Sequence, residues 1–415
     1  MKILQINSVC GVGSTGKIAQ NLYHGLKAEG HECKIAWGRR YGGTVPLEDT
    51  IRIGSKFDHY RHGLATRLWD RHGFAARGAT QYFLDKVEKY APDIIHLHNI
   101  HGYYIHVGLL FHFLSEYGKP VVWTLHDCWS FTGHCSHFDF VGCAKWKVQC
   151  HDCPQTKSYP KSLGYDNSIW NYQKKKELFT SIPKMTLVSP SHWLAGLVKQ
   201  SFLAKYPIEV IHNGIDRNIF KPTPSNLRER FGLMNKKIVL GVANVWSERK
   251  GFNDMLKLAD LLPTEYQIVM VGVSKKQKDK LPQNILGIIR TESPQELAQW
   301  YTTADVFVNP TYEEVLGLVN LESQACGTPV VTYDSGGSPE CVDNLSGKIA
   351  KEKSPYELSR LLIEFLPTKT EVFLEAEEVA KSNMFQQYLA LYKHCASFPS
   401  ITTVSHPSSP MVYKN

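Results

Sequence analysis

Two carboxylates separated by seven residues, Glu314 and Glu322, flank an expected helix start in NPTYEEVLGLVNLESQACGTP (309–329). Helical side chains lean toward the helix N-terminus, so Glu322 in the second turn can reach the cleft that Glu314 enters from the preceding loop. Between the two, free backbone N–H groups and the helix dipole favour a phosphate, and Gly317 lets the backbone approach it closely. Carboxylates accept hydrogen bonds from the vicinal hydroxyls of ribose or a hexose. The set therefore suits a sugar nucleotide. The plain alternative is acidic decoration of a solvated helix end.

A glycine-rich segment, GVGSTGK (11–17), fits two nucleotide fingerprints at once. Gly11, Gly13 and Gly16 read as GxGxxG, and Gly11 to Lys17 read as a P-loop without its last hydroxyl, because Ile18 stands where Mg²⁺ would need Ser or Thr. A dinucleotide fold would want an acid near the end of the second strand. Gly38, Arg39 and Arg40 stand there instead and would suit only an NADP phosphate. Ser8, Val9 and Cys10 also separate the loop from its strand, MKILQIN. The loop is read as closing over a donor diphosphate in the cleft, with a structural turn as the alternative.

These groups need elements to hold them. Strands are expected at 1–7, 33–37, 93–97, 120–125 and 185–189, with a helix from Gly16 to about Glu29; the pattern restarts at 237–243 and 267–272 and continues with 305–309 and 329–333. The fold class is α/β, in two doubly wound Rossmann-like halves facing a cleft. At 415 residues and 43% hydrophobic content the chain can build both cores, and no run of 18 apolar residues suggests a membrane span. The N-terminus begins with a strand rather than a signal segment, so a cytoplasmic setting is expected, in which ten cysteines read as reduced thiols or a metal site. The net charge of +8 suits phosphorylated substrates or an anionic membrane, and no nucleic-acid partner is expected. Arg52, Lys56, Arg61, Arg67, Arg71 and Arg77, interleaved with Tyr60, Leu64, Leu68, Trp69 and Phe74, would rest on such a membrane surface or belong to an ordinary helix packed on the core.

The stretch E314-VLGLVNL-E322 followed by ACGTPVV resembles the two-glutamate motif of retaining GT-B glycosyltransferases of the family 4 type (glycosyl transferases group 1). IHNGID (211–216), ERKGF (248–252), WYTTADVFVNP (300–310) and GGSPE (336–340) match further family segments in the family's order. The resemblance implies an acceptor-side domain over 1–205, a nucleotide-sugar domain over 206–383 and a helix over 384–397 crossing back to the first domain, while the Ser-, Thr- and Pro-rich stretch 398–415, without periodicity, reads as a loose tail. It implies a catalytic set of His126, Lys250 and Glu314, with the donor held by Gly13, Gly16, Arg249, Asn244, Gly317, Leu318 and Glu322. Asn244 stands where the family usually has an arginine, and Arg249 is the candidate replacement. His98, Asn99, Tyr103 and Asp127 are assigned to the acceptor side, with orientation of His126 as a second role for Asp127. No metal is required for the chemistry.

The implied reaction moves a sugar from a nucleotide diphosphate sugar to a glycan or lipid-linked acceptor, in cell-surface polysaccharide synthesis at the inner membrane face. Two other classes remain, an NADP-dependent oxidoreductase using the glycine loop and a non-catalytic sugar-nucleotide-binding protein. Within an insert at 128–153, Cys135, Cys143, Cys150 and Cys153 form a candidate structural zinc site. Only the last pair has the tight spacing typical of zinc, which leaves free thiols and a disulfide open.

Overall fold

The computed structural model describes residues 1–342, 347–364 and 380–397. Apolar runs bounded by turn residues form two all-parallel sheets, which must be covered on both faces by crossover helices. The first contains β1 (Lys2–Cys10), β2 (Glu32–Tyr41), β3 (Thr50–Arg52), β4 (Ile94–Leu97), β5 (Val121–Thr124), β6 (Met185–Ser189) and β7 (Ile208–Val210), in the order β3-β2-β1-β4-β5-β6-β7. The second contains β8 (Lys237–Val242), β9 (Tyr266–Val271), β10 (Ile285–Ile288), β11 (Val306–Asn309), β12 (Val330–Tyr333) and β13 (Gly347–Ala350), in the order β10-β9-β8-β11-β12-β13. In both sheets the strand order reverses direction once, between β1 and β4 and between β8 and β11. Ligands of open α/β sheets bind outside the carboxyl ends of the strands at such reversals. The glycine loop follows β1, and the Lys250 and Glu314 loops follow β8 and β11.

β1 runs to Cys10, longer than the sequence suggests, so the glycine loop follows its strand directly and is not late; the next helix begins at Gly13, not Gly16. The short strands β3, β7, β10 and β13, three or four residues each, were not anticipated.

The helix Lys381–Ser397 crosses back to the first sheet. Its Met384, Tyr388, Leu389 and Tyr392 are buried with Ile3, Tyr23, Leu26, Val122 and Val188. Its first residue is clasped to the segment between the halves, where Lys381 Nζ lies 2.6 Å from Asp216 Oδ2. Two hydrogen bonds anchor it to the sheet: Tyr392 Oη lies 2.6 Å from His96 Nδ1, and Tyr388 Oη lies 2.9 Å from Thr124 Oγ1. The tail expected over 398–415 lies outside the described residues.

The basic, aromatic segment forms the helix Lys56–Trp69, opened by a Ser55–Asp58 capping box. Phe57, Tyr60, Leu64, Leu68 and Trp69 are exposed, while His62 and Thr66 are its buried residues. The large apolar side chains of this helix therefore face outward, whereas Phe74, beyond its end, packs against the core of the first half.

Candidate functional site

In the second half, the turn Glu248–Lys250 after β8 delivers Lys250, and Gly251 passes the chain into the helix Phe252–Leu261. Gly251 has φ +74°, and a Cβ there would lie 2.2 Å from Pro310 O, so any other residue would push the β8 and β11 loops apart. That close approach brings Lys250 Nζ to 2.5 Å from Glu314 Oε2. Burial pushes the Glu314 carboxyl up, but the Lys250 ammonium outweighs it, with a smaller contribution from Arg249, and holds the group below the usual carboxylate range.

Gly317, at φ +90°, starts the helix Leu318–Ala325, which no side chain caps. The buried hydroxyl of Ser338 stands beside Gly317 without a hydrogen-bond partner. Uncapped N–H groups at Leu318 and an orphaned donor make a ready anion cradle. Asn320 braces it, accepting from Asn309 Nδ2 at 2.9 Å and donating to Ser338 O at 3.3 Å.

Glu322 accepts a hydrogen bond from Tyr301 Oη at 3.1 Å. Burial pushes its carboxyl up to about 7, and the Tyr301 bond and the charge of Lys17 only partly offset that rise. Lys17 follows Gly16 in the glycine-loop helix, so the loop and Glu322 face one cleft. Gly11 N–H closes the loop on Gly16 O at 3.1 Å, and the space before Gly13 is open.

Asn244 is exposed on the loop after β8. Arg249 turns toward Glu313, donating to its carbonyl at 3.3 Å and lying 3.8 Å from its carboxylate. Glu313, which sequence reasoning missed, is buried and also accepts the backbone N–H of Asp139 at 2.6 Å. It ties the cysteine-rich insert of the first half to the loop after β11 in the second. The acidic doublet at 313–314 was its only sequence signal. His137 of the insert was missed too; burial depresses its imidazole, on which Asp127, Glu313, Arg249 and Glu314 all act, which places it between the halves.

In the first half, His126 follows β5 and His98 follows β4. His98, expected on the acceptor side, is buried, and its two ring nitrogens lie 3.1 Å from His126 Nε2 and 3.0 Å from Gln5 Oε1. Burial lowers the His126 imidazole to about 4, so it is neutral at physiological pH. The neighbour that orients it is thus His98 rather than Asp127. Asp127 instead binds His101 Nε2 at 2.8 Å and accepts from Trp129 N at 2.9 Å. Burial alone would raise its carboxyl, but His101 outweighs that and brings it to about 2. His101 Nδ1 lies 3.0 Å from Tyr159 Oη, and Tyr103 carries the Arg39 guanidinium 5.4 Å from its ring centroid. Asn99 donates its backbone N–H to Asn7 Oδ1 at 3.3 Å, and its carbonyl accepts from Tyr104 Oη at 2.8 Å. The result is a polar, aromatic cluster beside His126, tied together by internal hydrogen bonds.

Cys135, Cys143, Cys150 and Cys153 line one small cavity within the insert, along with His134 and Trp146. The donor chemistry suits zinc. Among the described residues, however, the one cluster of three or more metal-ligating atoms mutually within 4.8 Å is His192, His212 and Glu340. The four thiols converge without forming a closed tetrahedron. Glu340 of the GGSPE loop is itself engaged, accepting from the backbone N–H groups of His192 and Trp193, each at 2.7 Å.

The family model described as Glycosyltransferase Family 4 matches residues 15–218, and that described as Glycosyl transferases group 1 matches 225–383. A protein of Escherichia coli K12 named for colanic acid biosynthesis, the glycosyl transferase WcaC, is 23% identical over 87% of this chain and 90% of its own length. A D-inositol 3-phosphate glycosyltransferase of Thermobispora bispora is 31% identical over 38% of this chain, a match spanning 42% of that relative. Among solved structures, sucrose-phosphate synthase of Thermosynechococcus elongatus superposes with a TM-score of 0.66 at 15% identity, covering 95% of this chain and 98% of its own. Anabaena HepE in complex with UDP gives 0.64 at 16% identity, covering 95% and 100%. With one family model on each half of the chain and the GT-B fold across both, this protein is a glycosyltransferase and belongs to the group 1, family 4 type.

Proposed function

We propose that this enzyme transfers a hexose from a nucleoside diphosphate sugar to a glycan or lipid-linked acceptor, with retention at the anomeric carbon. The observation that carries the reading is the Lys250–Glu314 pair at 2.5 Å beside the uncapped helix at Gly317. As the glycosidic bond breaks, negative charge collects on the leaving diphosphate. Lys250 and the N–H groups of the helix receive that charge where it develops, and Arg249 stands close behind. Glu314 positions Lys250 and meets the sugar hydroxyls, while Glu322 takes the ribose diol. His126 touches the donor sugar from the first half. It is neutral, and with its face of the sugar covered the acceptor hydroxyl enters on the leaving-group side. The new bond forms from acceptor oxygen to anomeric carbon, the bond to the diphosphate oxygen breaks, and that oxygen takes the acceptor proton. These cationic groups do the work of a divalent ion, so none is needed.

Tyr103, His101, Asp127 and Asn99 form the acceptor side. WcaC is named for colanic acid, and solved relatives include WaaG, described as involved in lipopolysaccharide biosynthesis; both support a role in cell-surface polysaccharide assembly. HepE structures contain UDP and UDP-glucose, which supports a sugar nucleotide as donor. The exposed aromatic and basic face of the helix Lys56–Trp69 would seat the enzyme on the anionic inner face of the membrane, although no helix among the described residues is long and apolar enough to cross one. The cysteine cavity is read as a structural zinc site whose sulfurs close on the ion.

A thermal-shift screen against UDP-, GDP- and ADP-sugars identifies the donor, since a ligand at 100 times its dissociation constant stabilises by about 2.7 kcal/mol. Release of nucleoside diphosphate that depends on acceptor then tests transfer. Donor binding without such release, across a panel of lipid-linked and free glycans, would refute it.

A further inference from the structure

We propose that Gln5 and His98 form a relay that fixes the tautomer of His126, so that its Nδ1 is presented as a bare acceptor. The chain of reasoning starts at Gln5, in the middle of β1 and fully buried. Its Nε2 donates to Ala19 O at 3.0 Å and faces Cys33 Sγ at 3.5 Å. Rotating the amide by half a turn would set Oε1 against the Ala19 carbonyl, acceptor against acceptor, so the amide has one orientation. Oε1 therefore faces His98, 3.0 Å from Nε2, and an amide oxygen can only accept. His98 must carry its proton on Nε2.

A buried neutral imidazole has one N–H, so Nδ1 of His98 is a lone pair. That lone pair lies 3.1 Å from His126 Nε2, with the two rings nearly parallel at 14°. His126 must then donate from Nε2, and its own Nδ1 is left unprotonated. No residue of the described chain donates to it. The strand register builds the relay: β4 pairs with β1 so that His96 stands opposite Gln5, and β5 pairs with β4, which puts His98 and His126 just beyond neighbouring strand ends. The crossover helix holds the relay from behind, because Tyr392 and Thr124 occupy both nitrogens of His96, whose ring centroid is 4.0 Å from that of His98.

Gln5 and His98 are positioning residues, and the catalytic meaning of the relay rests on the proposed contact of His126 with the donor sugar. An acceptor Nδ1 takes a hydrogen bond from a sugar hydroxyl; the other tautomer would donate to the hydroxyl oxygen and reverse the direction of that bond. The test is ¹⁵N–¹H correlation of the ring nitrogens in histidine-labelled, ligand-free protein, with the His126 signals identified by their loss in His126→Gln. The wild type is expected to show His98 and His126 both protonated on Nε2. Gln5→Met, which removes the acceptor at similar volume, should bring His126 into mixed tautomers and lower kcat/KM by about tenfold, the reach of one neutral hydrogen bond. Wild-type His126 protonated on Nδ1, or an unchanged tautomer in folded Gln5→Met, overturns the relay. The wild-type spectrum decides even if Gln5→Met does not fold. A tautomer shift with full turnover sustains the relay and overturns the donor contact instead.

Discussion

Removing Lys250 should do more than delete one charge. Lys250 Nζ lies 2.5 Å from Glu314 Oε2, and both side chains are about three-quarters shielded, at 22% and 24% exposure. In Lys250→Ala the developing diphosphate charge loses its nearest cation, and one such preorganised contact is worth about 10² to 10³ in turnover, or about 2.7 to 4 kcal/mol. Glu314 then keeps the burial that raises its carboxyl and loses the ammonium that holds it down. Glu314→Ala should fall in the same range, about 10² to 10³, because Lys250 loses the partner that aims it. Since the two act as one unit, the double variant should be little slower than the slower single variant, not slower by the product of the two factors. Initial rates of nucleoside diphosphate release at saturating donor, with folding checked by circular dichroism, measure all three. Near-normal rates in folded single variants, or losses that multiply in the double variant, would refute the reasoning.

Glu322→Ala should mainly raise the donor dissociation constant and leave kcat little changed, because ribose contacts are the same in ground and transition states; calorimetry showing unaltered affinity would count against its role. The Glu322 carboxyl stands at about 7 and hydroxyl donors favour its ionised form, so donor affinity should tighten as pH rises from 6 to 8, a trend that Glu322→Gln should abolish. Protein purified without chelators should carry about one zinc per chain on Cys135, Cys143, Cys150 and Cys153, and elemental analysis showing none would remove that site. Trp69→Ser with Arg61→Ser should reduce co-sedimentation with phosphatidylglycerol vesicles while leaving turnover on a soluble acceptor intact; equal sedimentation would exclude this helix as the membrane surface.

Much of this arrangement was legible because it depends on local pattern. The strands β1, β8, β11 and β12 are apolar runs with turn residues at their ends, and the Glu314–Glu322 spacing sets both acids around one helix start. Short strands such as β3 (TIR) and β13 (GKIA) escaped because neither is a continuous apolar run like β11 or β12; their pairing with β2 and β12 is tertiary. The surroundings of His98 were hidden for a related reason. It follows a strand and was read as part of an acceptor-side loop, but its ring centroid lies 4.0 Å from that of His96, which the crossover helix, nearly three hundred residues later, holds through Tyr392. Asp127 follows His126 directly yet pairs with His101 from the loop after β4, a contact that adjacency in the chain does not encode. Glu313 and His137 act between the two halves, a relation that local spacing does not encode.

Retention is the claim on which the mechanism turns. It requires the acceptor to attack from the side where Lys250 and the helix at Gly317 hold the leaving diphosphate. NMR of the product's new anomeric proton, followed from the start of turnover with an α-linked nucleotide sugar, tests it directly. The account predicts an α-linked product, and a β-linkage from an α-donor would contradict it.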